Sequence, residues 1–211
     1  MRAESELAAG ATGALPPGQR PAKGWPVLHY GPIPPFDVAT WDFRIWGEVE
    51  HPALLLYDEL RALPMVKVLA DFHCVTRFSV LGNEWEGVAV RTIADLVAPT
   101  PSVRFAMVHC EQGYDANLPL DVLMDDDVLF AWARNGAEFE PMHGFPLRLI
   151  VPKRYAWKSA KWVRGLEFMA EDRLGFWEER GYHNDADPWQ EQRYSTVSAL
   201  GRPGQLRPRM V

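Results

Sequence analysis

Strand-like periodicity constrains this chain more than any other feature. The segment Trp41-Asp42-Phe43-Arg44-Ile45-Trp46-Gly47 alternates apolar and polar residues, the two-residue period of a half-buried strand. Four further runs predict strands: Val66 to Phe72, Val103 to Cys110, the proline-bounded Pro146 to Pro152, and Trp162 to Met169. Helical patterning is confined to short stretches, Tyr57 to Leu63, Val90 to Leu96, and Leu120 to Leu123, the last placed just after Pro119. Strands and helices do not alternate regularly, which argues against a doubly wound parallel sheet. The expected fold is α+β, with a mixed, curled β-sheet and short helices. Nine tryptophans and 18 prolines fit a loop-rich chain with flat, aromatic-lined surfaces better than a helix bundle.

The 211 residues suit one domain with a sizeable core. No repeat or linker interrupts 25–195, which is expected to form that domain. Residues 1–24, rich in Ala, Gly and Pro, are expected to be a disordered or loosely packed arm, and 196–211 a C-terminal tail. The formal net charge of −6 disfavours a large nucleic-acid-binding face but not a local basic pocket. Two cysteines, Cys74 and Cys110, cannot build a disulfide framework, and free thiols in a reducing compartment are the simpler reading. Met1 to Lys23 has no apolar signal-peptide core and carries Glu4 and Glu6. No stretch approaches the roughly 18 apolar residues that span a bilayer. The expected location is the cytoplasm, without a membrane anchor.

Two constellations carry chemistry. In the first, Asp71 to Arg77, Cys74 follows an apolar strand and is flanked by His73, Thr76 and Arg77. A cationic neighbourhood lowers a thiol pKa and favours the thiolate that ligates metals or attacks substrates. On residue type alone, a buried structural cysteine remains equally open. Structural zinc is disfavoured, because His73-Cys74 and His109-Cys110 are adjacent pairs whose side chains point to opposite faces of a strand. In the second, His143-Gly144-Phe145-Pro146-Leu147-Arg148 leads into an apolar strand, and Lys158 and Lys161 follow. An arginine within an apolar strand needs an anion or a carboxylate. With the lysines it forms a candidate phosphate site, the alternative being solvated charges on an exposed edge. No P-loop or dinucleotide-binding glycine motif is present.

In this order and spacing, the two constellations resemble the molybdenum-binding domain of the sulfite oxidase family. That family also includes plant nitrate reductase and a bacterial periplasmic methionine sulfoxide reductase. The resemblance runs over about residues 28 to 195 and includes Lys161-Trp162, Gly113-Tyr114 through Leu118-Pro119-Leu120, and Phe176 to His183. It implies a Mo-molybdopterin cofactor, with Cys74 as the one protein sulfur ligand of the metal. It implies that His143 and Arg148 contact the pterin and its phosphate, that Ser159, Ala160 and Lys161 close the phosphate pocket, and that His29 and Tyr30 cross the cofactor. His73 and Thr76 would then lie behind the thiolate and tune it. Tyr114 falls where sulfite oxidases carry an active-site tyrosine. Arg77 is a candidate to replace a substrate-binding arginine that the family places near Leu28. Thr76 stands where the periplasmic reductase has a glutamate. The implied activity is oxygen-atom or two-electron transfer on a small-molecule substrate, with an external electron carrier or redox protein and no nucleic-acid or membrane partner. A non-catalytic molybdopterin-binding or carrier module is the alternative.

Overall fold

A computed structural model describes residues 5–8 and 14–195, so the expected tail at 196–211 lies outside the described residues. The strands, in chain order, are β1 (Ser5–Ala8), β2 (Arg20–Pro21), β3 (Asp42–Gly47), β4 (Ala53–Leu56), β5 (Met65–His73), β6 (Phe78–Ala89), β7 (Phe105–Cys110), β8 (Asp115–Pro119), β9 (Leu129–Arg134), β10 (Ala137–Glu138), β11 (Arg148–Ile150) and β12 (Val163–Met169). The α-helices are α1 (Tyr57–Ala62), α2 (Val90–Val97) and α3 (Leu120–Leu123). All five strands and three helices expected from the periodicity are present, with ends moved by one or two residues. Strands β1, β2, β4, β6, β8, β9 and β10 are additional.

Two mixed sheets result. One has the order β1-β5-β6-β9-β10, with β11 also on β9 and β2 also on β6; the other has the order β4-β3-β12-β7-β8. Strand pairs β1/β5, β2/β6 and β3/β12 are parallel and the rest antiparallel. The fold is therefore α+β with mixed sheets and short helices.

The sheets face each other across the main core. On β3, Phe43 and Ile45 point inward while Arg44 between them is exposed, as strand alternation dictates. They join Val88, Phe130, Trp132 and Leu149 of the first sheet. The rings of Phe43 and Phe130 meet edge to face at 5.0 Å. Helix α2 contributes Val90, Ile93, Ala94 and Val97, one face at helical spacing. The far side of the first sheet buries Val68, Phe72, Trp85 and Ile150 under Trp25, Phe139 and Phe145.

Two described parts of the N-terminal arm pair with the first sheet. Arg20 and Pro21 pair with Phe78 and Ser79, Ala22 donates its backbone N–H to the Ser79 carbonyl at 2.8 Å, and Ser5–Ala8 pairs with Val66–Leu69. Backbone pairing fills an open sheet edge without demanding apolar side chains, so composition did not reveal it.

Two connections prepare the site. Strand β5 turns through Cys74–Arg77 into β6. The chain leaving β11 folds back on itself before entering β12. There Leu149 N–H donates to the Ala160 carbonyl at 2.9 Å, Val163 N–H donates to the Leu147 carbonyl at 3.0 Å, and Arg148 lies opposite Lys161. This fold-back joins one sheet to the other.

Phe43→Ala removes a fully buried ring from the inter-sheet core. It is expected to cost about 3–5 kcal/mol and to lower the melting midpoint by roughly 6–20 °C. Urea and thermal unfolding measure this, with the urea m-value unchanged.

Candidate active site

The Cys74 loop is a tight reversal. Cys74 N–H donates to the Phe78 carbonyl at 2.8 Å, and Arg77 N–H to the Cys74 carbonyl at 3.0 Å. Arg77 closes the turn in the left-handed region, φ 76°. Upstream, the β5–β6 register shifts between Ala70 and Phe72, and the Asp71 carboxylate accepts the Gly82 N–H at 2.8 Å. Cys74 is 7% exposed, and the Thr76 hydroxyl donates to its sulfur at 3.2 Å. The expected depression of the thiol pKa is not observed. Burial pushes the thiol up, outweighing the Thr76 hydrogen bond and the fields of Arg148 and Arg193. Free Cys74 is therefore a neutral thiol near pH 7. A coordinated metal cation is the perturbation that deprotonates such a group.

Two expected site residues turn away. The Arg77 guanidinium lies 3.5 Å from Glu191 Oε1 and is more than half exposed. His73 is buried with Nδ1 2.8 Å from Ser79 Oγ, and burial lowers its pKa, so it is neutral. Neighbouring side chains on a strand point to opposite faces, which separates His73 from Cys74.

The other expected residues gather around one cleft of about 1240 Å³, part of it open to solvent. Its walls include His29, Tyr30, Cys74, Thr76, Tyr114, His143, Arg148, Ser159, Ala160 and Lys161. Arg148 and Lys161 are directly opposed across the fold-back, so their side chains leave on the same face. Arg148 is buried and donates to the carbonyls of His143 at 2.9 Å and Ser159 at 3.2 Å. Its Nε is buried without a hydrogen-bond partner. Lys161 donates to the Met142 carbonyl at 2.8 Å. Among the described residues no carboxylate pairs with either cation. Burial and the Arg148 charge lower the Lys161 pKa to about 6, and burial with three cationic neighbours lowers His143 to about 4. Like charges facing each other across one cleft wall are unfavourable until an anion joins them. Gly144 makes the close approach possible: its φ is 113°, and an added Cβ would lie 3.1–3.3 Å from side-chain carbons of Arg148 and Lys161. These donors fit a phosphate, and the Cys74 thiol on the same cleft fits a soft metal.

Lys158, expected beside them, is elsewhere. It is fully buried and pairs with Glu178 Oε1 at 2.7 Å, while also donating to the backbone and side-chain oxygens of Asn117. Glu178 Oε1 also accepts the Trp157 indole N–H at 2.7 Å. The Trp157 carbonyl in turn accepts the Tyr114 hydroxyl at 2.6 Å. Burial pushes the Tyr114 pKa well up, so it stays protonated.

Beyond Tyr30 and Tyr114, sequence reasoning assigned no role to the aromatic residues of the cleft. Trp25 stacks on the His143 ring at 4.0 Å and 5°, and the Arg148 guanidinium lies 5.3 Å from its centroid. Trp157, Trp177 and Tyr182 pack on or beside Cys74. Only the segment Phe176 to His183, already singled out, hinted at two of them.

The protein-family model "Oxidoreductase molybdopterin binding domain" matches residues 30–177. The "Uncharacterized oxidoreductase YuiH" of Bacillus subtilis is 42% identical over 185 residues, 87% of this chain and 93% of that protein. The methionine-sulfoxide reductase catalytic subunit MsrP of Campylobacter jejuni is 25% identical over 72% of this chain and 59% of its own length. Arabidopsis thaliana sulfite oxidase is 26% identical over 73% and 48%. The chain thus spans about half the length of these last two relatives. The sulfane dehydrogenase SoxCD of Paracoccus pantotrophus shares the fold, with a TM-score of 0.66 and 20% identity over 74% of this chain and 45% of that one. The chain belongs to the oxidoreductase molybdopterin binding domain family, and is a sulfite oxidase-like oxidoreductase with Mo-molybdopterin as its cofactor.

Proposed function

We propose that Cys74 gives the one protein sulfur to a mononuclear molybdenum centre, and that the enzyme transfers an oxygen atom or two electrons to or from a small substrate in exchange with an external electron carrier. The supporting observation is the uncompensated Arg148–Lys161 pair on the same cleft as the Cys74 thiol. When bound, the cofactor supplies the redox and oxygen-transfer chemistry, and the protein binds, orients and tunes it.

Each residue has a role that follows from its contacts. Arg148 and Lys161 neutralise the pterin phosphate, and the neutral ring of His143 is held by Trp25 for contact with the pterin. The Ser159 hydroxyl accepts the Val151 N–H at 2.9 Å, which fixes the floor that Ser159 and Ala160 form. His29 and Tyr30 close the mouth, the His29 ring meeting Trp162 edge to face with centroids 5.5 Å apart. The Thr76 hydroxyl withdraws electron density from the sulfur. Tyr114 commits its proton to the Trp157 carbonyl, so it bounds the substrate side as a neutral phenol rather than acting as a base. Arg77 and His73 have no direct contact with cofactor or substrate in this reading.

Three outcomes are expected. In protein from a host that makes the cofactor, Cys74→Ser retains pterin, and X-ray absorption finds one sulfur neighbour fewer at molybdenum. An unchanged sulfur count sinks the ligand assignment. Turnover of sulfite, S-oxides, N-oxides or nitrate, screened anaerobically, separates an enzyme from a carrier.

Arg148→Gln and Lys161→Gln each remove a charged donor. Each is expected to weaken pterin retention about 10- to 100-fold, read as pterin fluorescence released after gel filtration.

The cofactor-free protein has a pH signature. Its Lys161 pKa lies near 6 when folded and near the ordinary 10.5 when unfolded. The unfolded chain therefore binds more protons between these values, and stability rises with pH across that window. The urea midpoint in phosphate-free buffer is expected to increase from pH 6 to pH 8.5, and Lys161→Met to flatten that rise.

A further inference from the structure

One wall of the cleft is built unlike the rest. The consecutive residues Trp25 to Tyr30 all line it. They belong to residues 23–36, the connection that leaves β2 and runs toward β3. None of residues 23–36 is buried. Pro26, Pro32, Pro34 and Pro35 lie among them, and no acidic residue does. Among the described residues no backbone–backbone hydrogen bond ties this segment to either sheet. The last one before it runs from Ala22 N–H to the Ser79 carbonyl, and the next after it are accepted by the Asp37 carbonyl. Prolines lack the donor a ladder would use and stiffen an extended chain. Such a segment can lift as a unit without breaking a sheet. The opposite wall is fixed, because the fold-back of Arg148 and Lys161 is bonded through its own backbone.

Side chains hold the segment down. Near its start Trp25 stacks on His143, and the guanidiniums of Arg134 and Arg148 lie 4.7 Å and 5.3 Å from its ring centroid. In the middle Tyr30 meets Phe176 at 4.8 Å, at an aromatic wall that runs from Tyr114 through Phe176 and Trp177 to Tyr182. Beyond it Gln112 Nε2 donates to the Pro32 carbonyl at 3.0 Å. At the end Phe36 meets Phe145 at 4.8 Å. Gly24, φ 76°, stands in open space next to Trp25 and gives the chain a pivot there. The residue type of Trp25 matters. A carboxylate at this place would neutralise the cations a phosphate needs. An indole attracts them through its ring face and leaves their charge available.

We propose that residues 23–36 form a strap that opens to admit the pterin cofactor and closes over it, with Trp25 as the latch. This rests on the pterin occupying the cleft, and not on which residue ligates the metal. A pterin between the two walls touches both only when the strap is shut, so binding favours the closed form and slow release.

Chymotrypsin reads the open form. Cutting after Tyr30 requires its ring to leave Phe176 and its backbone to leave the body. Cuts are located by mass spectrometry on the full chain, cofactor-free and pterin-loaded, and pterin release is timed on the same samples. Cleavage after Tyr30 is expected to be about tenfold slower, or more, in the loaded protein. Trp25→Ala is expected to speed both cleavage of the cofactor-free protein and pterin release about tenfold, and Trp25→Phe, which keeps a ring to stack, to restore most of the wild-type rates. Gln112→Ala loses one exposed hydrogen bond, leaves the core intact, and is expected to raise both rates about threefold. Equal cleavage of free and loaded protein overturns the proposal, as does cleavage unmoved by Trp25→Ala. If that variant does not fold, Gln112→Ala decides in the same way. Faster pterin release with unchanged cleavage makes Trp25 a contact on a fixed wall, which also overturns it. Strap rates as expected, with an unchanged sulfur count at molybdenum in Cys74→Ser, uphold the strap and remove the ligand assignment alone.

Discussion

Arg148 and Lys161, held face to face with no carboxylate between them among the described residues, organise the functional half of this molecule. Arg148 and Lys161 are opposed because the chain between β11 and β12 folds back and pairs with itself. The same segment carries the chain from β11 in one sheet to β12 in the other. A mispaired fold-back would therefore shift the sheets against each other as well as scatter the anion site. Burial and then the facing Arg148 charge both disfavour a protonated Lys161 in the empty state, which lowers its pKa. The sheets' packing supplies the energy that holds it, and a bound phosphate relieves it. Cofactor affinity and empty-state instability are then two expressions of one electrostatic arrangement.

The thiol obeys a related rule. A cysteine beside Arg77 and His73 in sequence suggests an activated thiolate. In the fold those neighbours face elsewhere, and burial decides the pKa in favour of the neutral form. A thiol protected in this way is a poor nucleophile and a good ligand in waiting, since metal binding can displace the proton that solvent cannot. The left-handed Arg77 that closes the turn is what separates charge from sulfur.

Much of this was legible in the sequence. Alternation placed β3 and β12, and the order of motifs placed Cys74, His143, Arg148 and Lys161 in one site. What escaped has physical causes. Strand β6 contains Gly82, Asn83 and Gly87, which read as breakers. Gly82 instead sits at φ 63°, and Gly87 passes so close to β9 that a Cβ would lie 2.1 Å from the Phe130 carbonyl oxygen. Strand β9, Leu-Phe-Ala-Trp-Ala-Arg, is buried almost throughout and has no alternation to read. Lys158 and Lys161 look equivalent in sequence, yet one is sealed against Glu178 and the other faces the cleft. The aromatic wall is assembled from residues 114 to 182, and only tertiary contact brings it together.

The placement of carboxylates explains why the cleft has the character it does. The chain holds 28 acidic and 22 basic residues, so negative charge is not scarce. It is spent selectively. Glu178 takes the fully buried Lys158, Glu191 takes Arg77 and Arg193, Asp42 and Glu111 take Arg164, and Asp185 takes Arg154. Each pairing silences a cation that could otherwise draw an anion to the wrong place. Arg148 and Lys161, with no carboxylate partner among the described residues, line the cleft. Aromatic side chains gather around Cys74 on the same cleft. A phosphate group therefore has a cationic wall to settle against.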